Sequence, residues 1–226
     1  ENDFCLAQMM VDGKSNEITA MPALLKLMNI NGSVVTADAL NCQKDIAEQI
    51  VDGGGDYVLA LKGNHQFLYE DIKLFFEDAI IDGFDMPSAT YEQNDYGHGR
   101  IENRKYSCVE TKHLDFLRNK DEWKGQKSIV CVQSRRNTKD GESLEIRYFI
   151  SSLENIKKIA KSIRHHWSIE NKLHWVMDVD FDEDDCRVRI DHAPQNFALL
   201  RKIAHNLIKQ ESSKSISVRR KIKKAG

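Results

Sequence analysis

The feature that most restricts this chain is a strand, a helix and a second strand packed into residues 33–61. Ser33-Val34-Val35-Thr36-Ala37 is an apolar, β-branched run of the kind that fills a buried strand, and it ends in Asp38. Gln43 to Val51 places Ile46, Ala47, Ile50 and Val51 on one helical face and is stopped by Gly53-Gly54-Gly55. Tyr57-Val58-Leu59-Ala60-Leu61 is a second buried strand, ending in Lys62-Gly63-Asn64. A short connection containing one helix joins parallel strands by a right-handed crossover. The unit therefore predicts Asp38 beside the Lys62-Gly63-Asn64 turn, at the carboxyl edge where open α/β sheets hold their sites.

Around this unit the pattern changes twice. Phe4 to Val11 reads as a short strand ended by turn formers, and Glu17 to Met28 shows helical spacing at Ile18, Met21, Leu24, Leu25 and Met28. A helix is predicted over about 67–80. Residues 87 to 150 are loosely alternating and β-branched, with a turn at Asn137-Thr138-Lys139-Asp140-Gly141, and predict antiparallel strands whose last member rejoins the main sheet. Helix returns at Ser151, with Glu154 completing a capping box. Its apolar stripe runs through Ile156, Ile159, Ala160, Ile163 and Trp167, and the same spacing carries Glu170 and His174 inward. A last helix from Pro194 carries Phe197, Leu200, Ala204, Leu207 and Ile208, and the tail from Glu211 holds six basic residues, Lys214, Arg219, Arg220, Lys221, Lys223 and Lys224.

Composition removes several classes of function. The 226 residues are 41% hydrophobic and 30% charged, which is ordinary for a globular protein. No apolar run approaches the ~20 residues of a membrane span. Five scattered cysteines with no CxxC pair exclude a disulfide framework and a cysteine-ligated zinc site, and fit a reducing cytoplasm. The net charge of −2 means that any contact with nucleic acid must come from local clustering. The sequence opens on Glu1 rather than Met, so its start is expected to be an internal boundary of a longer protein.

Two carboxylates carry the chemistry. Glu170 lies on the inner stripe of a helix, where an uncompensated charge costs several kcal/mol. A salt bridge to Arg164 or Lys172 would satisfy it, and so would a metal ion. Asp38 at a strand end is either a helix cap or a ligand. Together, an aspartate on a central strand and a glutamate on a later helix suit a divalent-metal site for phosphoryl transfer, because Mg²⁺ prefers carboxylate oxygens. The run from Asp178 to Asp185 is not a calcium loop: Glu183 stands where the loop needs Gly, and Arg189 where it needs Glu. His166 and His174 flank Glu170 at four-residue spacing, which suits partners of the carboxylate better than a zinc site. Trp167 and Trp175 read as core. Arg100, Arg104, Lys105, Arg135 and Arg136 are either a phosphate track or an ordinary charged β-surface.

Several segments then resemble one family. Lys14-Ser15-Asn16-Glu17-Ile18, Thr36-Ala37-Asp38-Ala39 with Gln43, and Asp56 to Asn64 are similar to the second-aspartate region of insertion-sequence DDE transposases of the H-repeat-associated type. His166-Trp167-Ser168-Ile169-Glu170-Asn171-Lys172-Leu173-His174-Trp175 resembles the glutamate motif of that family, and Gly97 to Arg104 and Ala193-Pro194-Gln195-Asn196 match it as well. The resemblance covers nearly all of the chain outside the basic tail.

The resemblance implies a ribonuclease-H-like α/β fold: a mixed sheet flanked by helices, with a β-rich insert before the glutamate-bearing helix. Residues 1–86 and 151–210 would be the core without its first strand, 87–150 the insert and 211–226 a basic tail. The implied activity is cleavage and strand transfer at insertion-sequence ends with Mg²⁺ or Mn²⁺, on double-stranded DNA, in a homodimer assembled on that DNA. Asp38 would be the second aspartate and Glu170 the glutamate, both holding metal. Lys62, Asn64, Arg100, Arg104 and Arg164 would contact DNA, with His166, Asn171 and His174 supporting the glutamate. The first aspartate of the family has no match in residues 1–226. Asp12 precedes the Ser15-Asn16-Glu17-Ile18 match and sits in a turn, so it is not that residue. The chain also departs from the family, holding His166 and Met177 where relatives place Arg and Lys around the glutamate. The competing expectation is a non-catalytic DNA-binding or regulatory remnant of a decayed element.

Overall fold

The computed structural model describes residues 5–9, 17–82, 88–97, 100–138, 141–169, 173–212 and 216–225. The chain divides into two compact units, one of residues 17–164 and one of residues 1–16 with 165–226.

The larger unit opens with α1 (Glu17–Lys26), β1 (Val34–Ala37), α2 (Lys44–Asp52), β2 (Asp56–Leu61) and α3 (Gln66–Asp82). β1 and β2 are parallel, with Val34 opposite Asp56 and Ala37 opposite Leu59, as the strand–helix–strand pattern requires. The glycine triplet explains why α2 stops where it does. Gly54 has φ +74°, a left-handed backbone that favours glycine, and a Cβ on Gly53 would stand 2.8 Å from Ile30 Cδ1.

Four strands follow: β3 (Ser88–Gly97), β4 (Arg100–Glu110), β5 (Ser128–Thr138) and β6 (Gly141–Ser151). All join β1 and β2 in one six-stranded mixed sheet of order β1-β2-β6-β5-β4-β3. β6 lies antiparallel to β2, with Val58 opposite Ser151 and Leu61 opposite Tyr148. Residues 88–151 are continuous with β2 through β6, the last of these strands, which rejoins the sheet as its pattern predicts. They are two-thirds of its strands.

Period-two alternation divides the buried side chains between two faces. Tyr57, Leu59, Leu61, Ile129, Cys131, Tyr148 and Ile150 pack with Leu25, Ile46, Ile50, Leu68, Ile72 and Phe76 from α1, α2 and α3. Val58, Val130, Val132, Phe149, Tyr106 and Cys108 pack on the opposite face with Ile159, Ala160 and Ile163 of α4 (Ile156–Ile169). Each fully buried Ile or Leu contributes about 1.5–3 kcal/mol. The mixed sheet with helices on both faces is the fold class that the ribonuclease-H-like resemblance implies.

α4 begins four residues later than its predicted cap. Ser151 is buried in β6, where its hydroxyl donates to the Tyr57 carbonyl at 2.8 Å. Asn155 caps the helix instead: its Oδ1 accepts the Lys158 N–H at 3.0 Å.

The smaller unit contains α5 (Trp175–Asp180), α6 (Ala193–Gln210) and α7 (Val218–Ala225). The strand expected over Phe4 to Val11 is absent from residues 5–9, which run as irregular backbone held by side chains of α6. The Cys5 N–H donates to Asn206 Oδ1 at 3.1 Å, and Lys202 Nζ donates to Gln8 Oε1 at 2.8 Å. α6 itself is rotated relative to the stripe read from sequence: His205 is fully buried, whereas Phe197, Leu200 and Leu207 are exposed. Trp167 and Trp175, expected in the core, are also exposed, Trp175 by 54%. The tail from Glu211 forms a helix over α7. No helix among the described residues is long and apolar enough to cross a membrane.

Candidate active site

The parallel β1–β2 pair brings the predicted residues to one edge. Asp38 follows the last residue of β1 and is exposed, while Lys62, also exposed, follows the last residue of β2. Asn41 donates its backbone N–H and its side-chain Nδ2 to Asp38 Oδ1, at 3.1 and 3.2 Å. Both bonds fall on one oxygen and fix the carboxylate. This is a side-chain turn of the kind aspartate makes at the end of a strand.

The loop after Asp38 is clamped from the end of β2. Asn64 Nδ2 donates to the Ala39 carbonyl at 2.8 Å, and His65 Nε2 donates to the Cys42 carbonyl at 2.6 Å. The His65 ring meets Trp123 edge-on with centroids 4.9 Å apart, so its own orientation is held by the core. Cys42 is fully buried, and burial followed by the nearby Asp38 carboxylate pushes its thiol up to about 12. A thiol held neutral in this way is a packing group rather than a ligand. Asn41 and His65 escaped the sequence reading. An Asn three residues after a strand-end Asp was the available signal for the first; the second depends on the approach of residues 42 and 65, which no local pattern reveals.

The basic candidates separate. Arg104 is only 7% exposed, pairs with Glu102 Oε1 at 2.6 Å and is ion-paired to Asp95. Arg136 reaches the same Glu102 oxygen at 3.6 Å, and Arg164 of α4 reaches Asp95 Oδ2 at 3.2 Å. Arg104 and Glu102 are thus the buried centre of an ion-pair network that joins β3, β4, β5 and α4, with its outer members Asp95, Arg136 and Arg164 partly exposed. Arg164 is partly exposed at the edge of that network. Arg135 pairs with Glu142 at 3.2 Å, and Arg100 opens β4 opposite Gly97.

On the glutamate side, Glu170 and Asn171 lie outside the described residues, as does Asp12. His166 is half-buried on α4, and His174, expected inward, is exposed just before α5. Met177, one of the two departures from the family pattern, is buried. Among the described residues, no three His, Cys, Asp or Glu side chains come together as a metal-holding group. Asp38 is an exposed carboxylate at the carboxyl end of β1.

The chain is 40% identical over 232 residues to "Putative protein YbfL" of Escherichia coli (strain K12), covering 99% of this chain and 60% of that protein. It is 39% identical over 232 residues to the "H repeat-associated putative transposase YhhI" of the same strain, with the same coverage. It is also 39% identical over 230 residues to the "Putative transposase YncI" of Escherichia coli O157:H7, covering 99% of this chain and 58% of that protein. The chain spans about 60% of the length of these relatives. Residues 1–207 match the family described as the Transposase DDE domain, and the chain belongs to that family.

Proposed function

We propose that this chain is part of the catalytic domain of a DNA transposase that cleaves and joins strands at the ends of an insertion sequence. Asp38 and Glu170 are its carboxylate ligands for Mg²⁺ or Mn²⁺. A further aspartate, which the family pattern puts before residue 1, completes the set in the full-length protein. The observation that carries the reading is Asp38. It is an exposed carboxylate at the carboxyl end of a parallel strand, fixed through one oxygen by Asn41, beside the exposed Lys62.

A divalent cation bound there supplies Lewis-acid stabilisation of charge on the phosphate oxygens. In the hydrolytic step a water oxygen attacks phosphorus, the P–O3′ bond breaks and the strand is left with a 3′-hydroxyl. In strand transfer that 3′-hydroxyl attacks the phosphorus of a second phosphodiester, giving up its proton as the new P–O bond forms, while the P–O3′ bond of the attacked strand breaks and its 3′-oxygen leaves as a hydroxyl. Asp38 would hold the cation through its carboxylate. Asn41, Asn64 and His65 hold the loop that aims it, and Lys62 and Arg164 meet the DNA backbone as charges. His166 and Asn171 position Glu170.

The test is a cellular transposition assay and an in vitro nicking assay on the full-length protein carrying D38N or E170Q. Each variant is expected to fall below about 1% of the parent rate, as happens when a group that stabilises developing charge is removed. Folding is checked by thermal denaturation. Cleavage retained by a folded D38N or E170Q variant would remove that residue from the reaction.

A further inference from the structure

The C-terminal helix α7, with the sequence VRRKIKKA, carries a second feature that bears on DNA. Arg219, Arg220, Lys223 and Lys224 are all exposed, and helical spacing arranges them as two i, i+4 pairs, Arg219 with Lys223 and Arg220 with Lys224. Among the described residues none of the four has a carboxylate partner; the ion pair of this helix belongs to Lys221, with Glu211. Like charges at this spacing destabilise a helix by a few tenths of a kcal/mol per pair. The arrangement is therefore not one that helix stability alone favours.

The inner side of the helix is already occupied. Val218 and Ile222 are half-buried, α7 packs against α5 and α6, and Lys221 Nζ donates to the Ile208 carbonyl at 3.2 Å. The helix is thus fastened to its unit by its apolar side and turns its cations outward. A helix that lies on a lipid surface needs the opposite arrangement, with its apolar side free to enter the acyl boundary.

We infer that the outer face of α7 is a binding site for the phosphate backbone of duplex DNA, independent of base sequence. This rests on the reading of the protein as a DNA transposase and adds a contact far in sequence from Asp38 and Glu170. An eight-residue helix is ~12 Å long, a length of duplex axis that carries about seven phosphate charges, so all four cations have partners within reach. Because the whole chain has a net charge of −2, bulk attraction to DNA is lacking and a local patch of this kind is what association would depend on.

The experiment measures fluorescence anisotropy of a short labelled duplex of arbitrary sequence against the full chain, over a series of salt concentrations. The variant R219Q/R220Q/K223Q/K224Q keeps helix-forming side chains and removes the patch. A control, K26Q/K73Q/K112Q/K124Q, removes the same charge from exposed lysines of the larger unit. The patch variant is expected to bind about 10- to 100-fold more weakly, with a salt slope lower by about 3, while the control stays near the parent. R219K/R220K, which keeps the charges, is expected to bind like the parent; weak binding by it would count against a purely electrostatic site. Parent-like affinity and slope in the patch variant would overturn the α7 site while leaving the transposase reading intact. No binding by the parent chain would likewise overturn the α7 site, whereas the transposase reading stands or falls with the D38N and E170Q assays on the full-length protein. Tighter binding to vesicles of phosphatidylserine and phosphatidylcholine than to DNA at equal salt, lost in the patch variant, would replace DNA with a membrane.

Discussion

At the scale of single residues, Arg104 shows how phase outranks residue type. Along β4 Glu102, Arg104, Tyr106 and Cys108 are buried at alternate positions, with Val109 buried as well near the strand's end, whereas Ile101 is 52% exposed. Period two carries an arginine inward because it shares the parity of the tyrosine and the cysteine. That parity was present in the sequence, but a strand whose inward set includes Glu and Arg does not announce which face is covered. The cross-strand register puts Glu102 opposite Arg136, and α4 brings Arg164 to Asp95, so the buried charges are compensated. Removing one member leaves another buried and short of partners. R104M is expected to destabilise the protein by about 3 kcal/mol in urea denaturation, and E102M/R104M to recover most of that loss. An R104M variant as stable as the parent would show that the network is not structural. Asp38 needed no such correction of place, since a strand-end aspartate in a parallel pair can only stand at the carboxyl edge.

At the scale of elements, the strand–helix–strand unit was legible because each of its parts is short, apolar and punctuated. The pattern predicts a strand, a helix stopped by Gly53-Gly54-Gly55 and a second strand, and β1, α2 and β2 follow with ends within a residue or two. Element boundaries set by side-chain hydrogen bonds were less legible. Ser151 and Glu154 have the spacing of a capping box, yet the hydroxyl of Ser151 is engaged by Tyr57 across the sheet, and the cap passes to Asn155. N155A is therefore expected to lower stability by about 1 kcal/mol, and removal of the Glu154 carboxylate by E154Q to change it far less. Chemical denaturation of the two variants distinguishes these; equal losses would restore the capping box. On α6 the apolar residues do not mark the covered face: His205 is fully buried, Phe197, Leu200 and Leu207 are exposed, and Lys202 and Asn206 hold residues 5–8 by hydrogen bonds.

At the scale of the whole molecule, the antiparallel strands of residues 88–151 were recognisable as strands but not as the main body of the sheet. Strand pairing is a long-range property: β6 lies against β2 through residues about 90 positions apart, and nothing local in either strand encodes that register. The fold class, by contrast, follows from the mixture of a parallel pair with antiparallel neighbours and helical stripes, and the family follows from motifs spread over most of the chain. Of the two carboxylates on which the proposed chemistry depends, Asp38 is placed at the sheet edge, and Glu170 is reached through its motif. The most direct test is a crystal of the full-length protein soaked in Mn²⁺ and read by anomalous scattering. The account predicts a manganese peak about 2 Å from carboxylate oxygens of both Asp38 and Glu170. Carboxylates far apart, each locked in its own salt bridge with no metal between them, would contradict it.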